Sequence, residues 1–202
     1  MVKIIKLEKG NISTVLEEAK KVINNRGVII YPTDTVYGIG GDATDPVVVE
    51  KVMEIKGREK GHAFSVIMSD IDMIEEYCIV DIFQEIILKK YLPGPYTFVL
   101  KIHRPIAVSQ DLTLGVRIPN LDFCNRLSEV VGKPIISTSA NRSGEIPPRA
   151  FNEINKEILE AVDLAIDGGP TRYYGPSDVV DLVNMKIIRK GVGEIDLSKL
   201  EI

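Results

Sequence analysis

The chain has only two cysteines, Cys78 and Cys124, and two histidines, His62 and His103, and none of the four shares a metal-ligand spacing with another. That scarcity argues against a zinc module and a disulfide-stapled fold, and both cysteines are expected in or near the core as small apolar side chains. No apolar run approaches the ~18 residues that span a bilayer, and no charged-then-apolar leader opens the chain, so a cytoplasmic protein without membrane contact is expected. The net charge of −4 leaves no surplus for a surface that is basic all over, as whole-face nucleic-acid binding requires. Neither G-x-x-x-x-G-K-[ST] nor G-x-G-x-x-G occurs, which argues against an ordinary P-loop or Rossmann dinucleotide site. No Ser/Gly/Pro linker and no internal repeat divides the sequence. What is present is a chain of 202 residues, 45% hydrophobic and 27% charged, enough to bury one core and expected to form one domain over residues 1–202.

Strand-like and helix-like segments alternate from end to end, an α/β pattern. Strands are expected at residues 3–7, 28–31, 63–68, 96–102, 115–119, 134–137, 164–166, 179–183 and 187–188. A helix stripe at Val15, Leu16, Ala19, Val22 and Ile23 follows a Thr14-x-x-Glu17 capping box and ends at Gly27. Asp45 as N-cap with Pro46 at the first helical position opens a second helix, to residue 55, and further helices are expected at 81–91, 121–131 and 150–162.

The run Tyr31-Pro-Thr-Asp-Thr-Val-Tyr-Gly-Ile-Gly-Gly-Asp42 crowds hydroxyls and glycines beside a strand end, and Lys56-Gly-Arg58 follows a helix later. Close backbone approach through Gly38, Gly40 and Gly41 together with a Lys/Arg pair suits phosphate or carboxylate. Taken singly, Lys56 and Arg58 also read as a solvated helix C-terminus favoured by the macrodipole, and Ser137–Asn141 as a polar turn.

Together with Val116-Arg117-Ile118-Pro119, Ser137-Thr-Ser-Ala-Asn141 and Ser177-Asp-Val-Val-Asp181, this run resembles the YrdC/Sua5 family, the threonylcarbamoyl-AMP synthases of tRNA modification, in its single-domain form. The resemblance covers nearly the whole chain, with four motifs in the family's order. It implies a twisted, mixed parallel/antiparallel sheet with flanking helices and one concave cationic cleft. The implied reaction condenses L-threonine, bicarbonate and ATP to threonylcarbamoyl-AMP and pyrophosphate, with Mg²⁺ accompanying ATP. A tRNA-modifying transferase complex would receive the product, and contact with tRNA or double-stranded RNA is a further expectation.

By the same resemblance Lys56, Arg58, Ser139 and Asn141 are the catalytic signature, with Arg58 clamping phosphate oxygens and Lys56 a mobile point charge. Thr35, Arg117, Ser137 and Ser177 match positions around threonine. Lys56, Arg58, His62, Thr113, Ser139, Asn141 and Arg189 match the nucleotide side, although Arg189 also alternates with its neighbours as an outward, solvated arginine would. The chain departs from the family at Glu59, at Ala63-Phe64 and at Asp178, which replaces a threonine. Asp178 must point away from polyphosphate or meet it through a cation, which makes it a candidate oxygen for Mg²⁺. Two other readings share these residues: a carbamoyl-adenylate-forming module of hydrogenase maturation, and a double-stranded RNA or tRNA binder.

Overall fold

The computed structural model describes residues 2–58, 64–109 and 112–196. Its strands are β1 (Lys3–Lys6), β2 (Ile29–Tyr31), β3 (Gly38–Gly40), β4 (Ser65–Ile67), β5 (Tyr96–Lys101), β6 (Thr113–Arg117), β7 (Ile135–Ser139), β8 (Leu164–Asp167), β9 (Asp178–Asp181) and β10 (Lys186–Arg189). The helices are α1 (Ile12–Asn24), α2 (Pro46–Lys56), α3 (Ile71–Tyr77), α4 (Ile82–Tyr91), α5 (Asp122–Val131) and α6 (Lys156–Glu160), with a 3₁₀ turn at Phe151–Glu153. Among the described residues the strands form one ten-stranded mixed sheet in the order β1-β8-β2-β3-β7-β4-β6-β5-β9-β10. The parallel pairs are β1/β8, β2/β8, β4/β6 and β5/β9, and the other neighbours are antiparallel. This is the mixed sheet with flanking helices expected above. No helix among the described residues is long and apolar enough to cross a membrane.

Alternation along each strand divides the sheet's two faces. On one face α1 (Val15, Leu16, Ala19, Ile23) and α5 (Phe123, Cys124, Leu127) pack over Ile29, Tyr31, Ile67, Ile135, Leu164 and Ile166. On the other, α2, α3, α4 and α6 cover a row in register across five strands: Ile136, Val66, Val116, Phe98 and Val180, all at 0% exposure. Burying such side chains stabilises by about 1.5–3 kcal/mol each. The cysteines sit where expected, buried and unpaired, and burial pushes the Cys78 thiol up to about 12 and Cys124 upward as well.

Several expectations are corrected. α1 begins at Ile12, so Thr14 and Glu17 lie inside it and form no capping box. Asn11 braces the entry instead, its Oδ1 accepting from Glu8 N and its Nδ2 donating to Lys6 O, both at 2.9 Å. The helix expected at 150–162 is broken, because Asn155 caps a fresh start by accepting from Glu157 N at 2.8 Å. Residues 38–40, outside every expected strand, form β3, and α3 also lies outside the expected helices.

Candidate active site

The face covered by α1 and α5 changes chemistry along its own strands. On β7, Ile135 packs in the helix core, whereas Ser137 and Ser139 emerge into a cavity of about 340 Å³. On β4, Ile67 belongs to the helix core and Ser65 to the cavity. β6 contributes Thr113, Gly115 and Arg117, β5 contributes Thr97 and Val99, and β9 contributes Val179, with Ser177 just before it. The two-residue strand period thus sends alternate side chains of five adjacent strands to one floor. Thr33, Thr35, Val36, Tyr37 and Gly38 form a wall, and Arg58, Phe64, Thr138, Pro147, Pro176 and Arg189 complete the lining. Three arginines and nine serines or threonines line the cavity, and among the described residues no Asp, Glu or Lys does.

Arg117 is 6% exposed; its Nη2 donates to Asp34 Oδ1 at 3.1 Å and to Thr35 Oγ1 at 2.9 Å. The other oxygen of Asp34 accepts from Asn120 N at 2.9 Å, so this acid is spent on fixing the arginine and the 120 backbone. Burial pushes the Asp34 carboxyl up, and the Arg117 charge opposes that push. Arg117 Nε is buried without a hydrogen-bond partner among the described residues. An unpaired buried donor costs about 1–3 kcal/mol, which the oxygen of an anionic ligand would recover.

Arg58 reaches the cavity because α2 stops at Gly57, whose φ of 63° is a left-handed position suited to glycine. Its Nε donates to Ser143 Oγ at 2.8 Å and its guanidinium lies 5.5 Å from the Phe64 ring centroid. Arg189 Nε and Nη2 donate to Ser177 O at 3.1 and 2.9 Å, and Nη2 also to Ser177 Oγ at 3.1 Å. Much of Arg189 is exposed, yet its guanidinium closes on the cavity edge, so the outward, solvated alternative is not what forms. Burial lowers the pKa of both arginines, but guanidinium starts so high that the charges persist.

Lys56 and Asn141 stand one layer behind. Val48, Val49, Val52 and Met53 form the buried stripe of α2, and Lys56 occupies its next turn at 1% exposure. Lys56 Nζ donates to Ser139 O and, at 2.8 Å, to Asn141 O. Burial pushes the amine down to about 7, the Arg58 charge adds to the shift, and Glu145 opposes it. Asn141 Nδ2 donates to Arg142 O at 2.9 Å and Glu145 O at 2.8 Å. The expected mobile charge at Lys56 is therefore corrected: a buried amine bound to two carbonyls shapes the loop that presents Ser139. Asn141 likewise turns its amide into the loop and does not line the cavity.

Asp178 is fully buried on the face opposite Ser177 and Val179, so the candidate Mg²⁺ oxygen is not at the cavity. No cluster of three or more His, Cys, Asp or Glu that could hold a metal occurs among the described residues. Among the described lining residues every side-chain oxygen belongs to a neutral hydroxyl.

Of the site residues read from sequence, Thr35, Arg58, Thr113, Arg117, Ser137, Ser139, Ser177 and Arg189 converge on the cavity. His62 lies outside the described residues, as do Glu59 and Ala63. Sequence reasoning missed Asp34, Ser65 and Thr97. Asp34 sat in the quoted motif as an acid between two threonines, and Thr97 interrupts the apolar strand 96–100 at a cavity-facing position.

Comparison with known proteins was consistent with this geometry. The model of the Sua5/YciO/YrdC family, described as telomere recombination, matches residues 21–191. A Methanocaldococcus jannaschii protein provisionally named threonylcarbamoyl-AMP synthase is 39% identical over 202 residues, covering 99% of this chain and 96% of its own. The crystal structure of Pyrococcus abyssi Sua5 complexed with L-threonine superposes with a TM-score of 0.86 at 26% identity, across 95% of this chain and 57% of that longer one. Escherichia coli YciO gives a TM-score of 0.85 at 28% identity, with 98% of both chains covered. With the family model spanning most of the sequence and the same sheet recurring in both solved structures, the chain belongs to the Sua5/YciO/YrdC family.

Proposed function

We propose that this chain is a nucleotidyltransferase that condenses L-threonine, bicarbonate and ATP to threonylcarbamoyl-AMP and pyrophosphate. The observation that carries this reading is the lining: three arginines and nine hydroxyl residues, with no carboxylate among the described lining residues, give the charge balance that two anionic substrates need. The name of the Methanocaldococcus jannaschii relative and the threonine complex of Pyrococcus abyssi Sua5 support the choice of substrates.

In this reaction the threonine amine adds to carbon dioxide drawn from bicarbonate, loses a proton and becomes a carbamate. A carbamate oxygen then attacks the α-phosphorus of ATP in line, the bond to the bridging oxygen breaks, and pyrophosphate leaves with that electron pair. Neither step calls for a protein nucleophile; both call for orientation and neutralised oxyanions. Arg117, held by Asp34 and Thr35, takes the threonine carboxylate, with its buried Nε–H as a ready donor. Ser137 and Ser177 surround the amine and side-chain hydroxyl. Arg58 and Arg189 neutralise the triphosphate while Thr113 and Ser139 donate to it. Lys56 and Asn141 keep the Ser139 loop in shape. Magnesium held by the ATP phosphates would supply further neutralisation of their charge, and the adenylate would pass to a transferase complex that modifies tRNA.

The test is product analysis by mass spectrometry with ATP, isotopically labelled bicarbonate and threonine, alongside pyrophosphate release. Threonylcarbamoyl-AMP carrying the label is expected. Pyrophosphate release independent of threonine, or carbamoyl-adenylate formed only from carbamoyl phosphate, would overturn the reading. Salt-dependent RNA affinity without any adenylate would do the same.

A further inference from the structure

Ser177, just before β9, and Asp178, its first residue, face opposite ways and grip the same returning segment, residues 189–193. From the cavity side, Ser177 accepts from the Arg189 guanidinium through both its carbonyl and its hydroxyl. From the far side, Asp178 Oδ1 accepts from Gly191 N at 2.5 Å. Its Oδ2 makes no hydrogen bond among the described residues and faces Lys190 Nζ at 3.8 Å. The backbone here has little slack. A Cβ at Gly191 would sit 2.0 Å from Pro176 O, and Val192 N donates to the same carbonyl at 2.9 Å. A Cβ at Gly193 would lie 2.9 Å from Asp178 Oδ2.

We propose that Asp178 is a positioning residue for Arg189: by holding the Gly191 amide behind the sheet, it sets where the guanidinium two residues earlier meets an anion in the cavity. The placement has an electrostatic logic. Arg189 touches a carbonyl and a hydroxyl, and neither neutralises it, so its charge stays available. An aspartate on the cavity face would pair with that guanidinium directly, whereas from the opposite face Asp178 makes its contact through the backbone and its charge favours the guanidinium only at a distance. A threonine at this position has a hydroxyl that can also accept from an amide. The contact with the Gly191 amide needs an acceptor and not a negative charge. This role rests on the nucleotide reading above, in which Arg189 meets ATP phosphate.

Steady-state kinetics of Asp178→Val, Asp178→Thr, Arg189→Ala and the Asp178→Val/Arg189→Ala pair, beside wild type, tests it. Valine and threonine match in shape and differ in the acceptor. Asp178→Val is expected to raise the KM for ATP about tenfold, near 1.4 kcal/mol, while the KM for threonine stays within about twofold. Asp178→Thr should restore the wild-type value, and the double variant should bind ATP no worse than Arg189→Ala alone, because residues acting through one another are not additive. An unchanged ATP KM in Asp178→Val, an equal rise in both KM values, or additive losses would overturn the role. Should Asp178→Val not fold, hydrogen exchange of the Gly191 amide in wild type decides. Linkage requires ATP, and not threonine, to slow that exchange, and no slowing refutes the coupling. A wild-type protein that forms no threonylcarbamoyl-AMP defeats the underlying function, whereas an active one with an indifferent Asp178 defeats only this inference.

Discussion

Lys56→Met keeps the reach of the side chain and removes its ammonium. In the wild type the buried Nζ donates to Ser139 O and Asn141 O. Ser139 O keeps a second donor, Asn141 N at 2.9 Å, so the Asn141 carbonyl suffers most, at about 1–3 kcal/mol for a buried unpaired acceptor. The pH dependence is the sharper measurement. Burial lowers the amine from 10.5 to about 7 in the folded protein. Between those two values the unfolded chain holds a proton that the folded one has released, so stability rises with pH. The stabilisation is complete above the unfolded pKa and is lost as pH falls through about 7. Each pH unit within the window is worth about 1.4 kcal/mol, so wild type should gain about 2.5 kcal/mol over Lys56→Met between roughly pH 7 and pH 9. Urea denaturation of both proteins across that range measures the gain, because other titrating groups cancel in the difference. A stability difference that stays flat with pH would mean that the two carbonyls keep the ammonium charged, and would refute the reasoning.

Arg58→Ala should cut adenylate formation on the order of 10²-fold with little change in melting temperature, and a near-normal rate would contradict its role. Arg117→Ala should in addition destabilise by about 3–5 kcal/mol, because Asp34 is left as an unpaired buried acid; Asp34→Asn with Arg117→Met should recover the stability but not the activity. Chelation with EDTA should stop the reaction and added Mg²⁺ restore it; turnover that survives chelation would remove the metal from the scheme. In competitive product analysis threonine should be preferred to serine by about 10- to 200-fold, the worth of one methyl group, with valine rejected more strongly than serine. Equal use of serine and threonine would show that the pocket around Arg117 is misassigned.

Elements were legible where punctuation and periodicity agreed. Asp45-Pro46 marked the start of α2, and Asp81 opens α4 with a capping box to Gln84. β3 was not legible, because its glycines carry no side chains to alternate. A Cβ at Gly40 would lie 1.9 Å from Ile136 O, so the closeness of β3 to β7 is itself the reason for the glycine. α3 spans only seven residues, too few for a helical stripe to stand out. The break in the 150–162 helix turned on one asparagine, which reads equally well as a helix residue and as a cap.

The candidate site was legible residue by residue but not in depth. Motif matching treats Lys56, Arg58, Ser139 and Asn141 as one set, whereas the fold divides them into a surface pair and a supporting pair. The dividing signal was present in the sequence. Val49, Val52, Met53 and Lys56 follow helical spacing, so a lysine on an apolar stripe is a buried lysine and needs carbonyls to hold it. Arg58, two residues later and past the left-handed Gly57, is off that stripe and free to reach the cavity. The same reasoning sorts Ser177 from Asp178, since neighbours on a strand must face opposite ways. Side-chain period decides which member of a motif can touch a ligand, and chemistry then decides what the other member must be doing behind it.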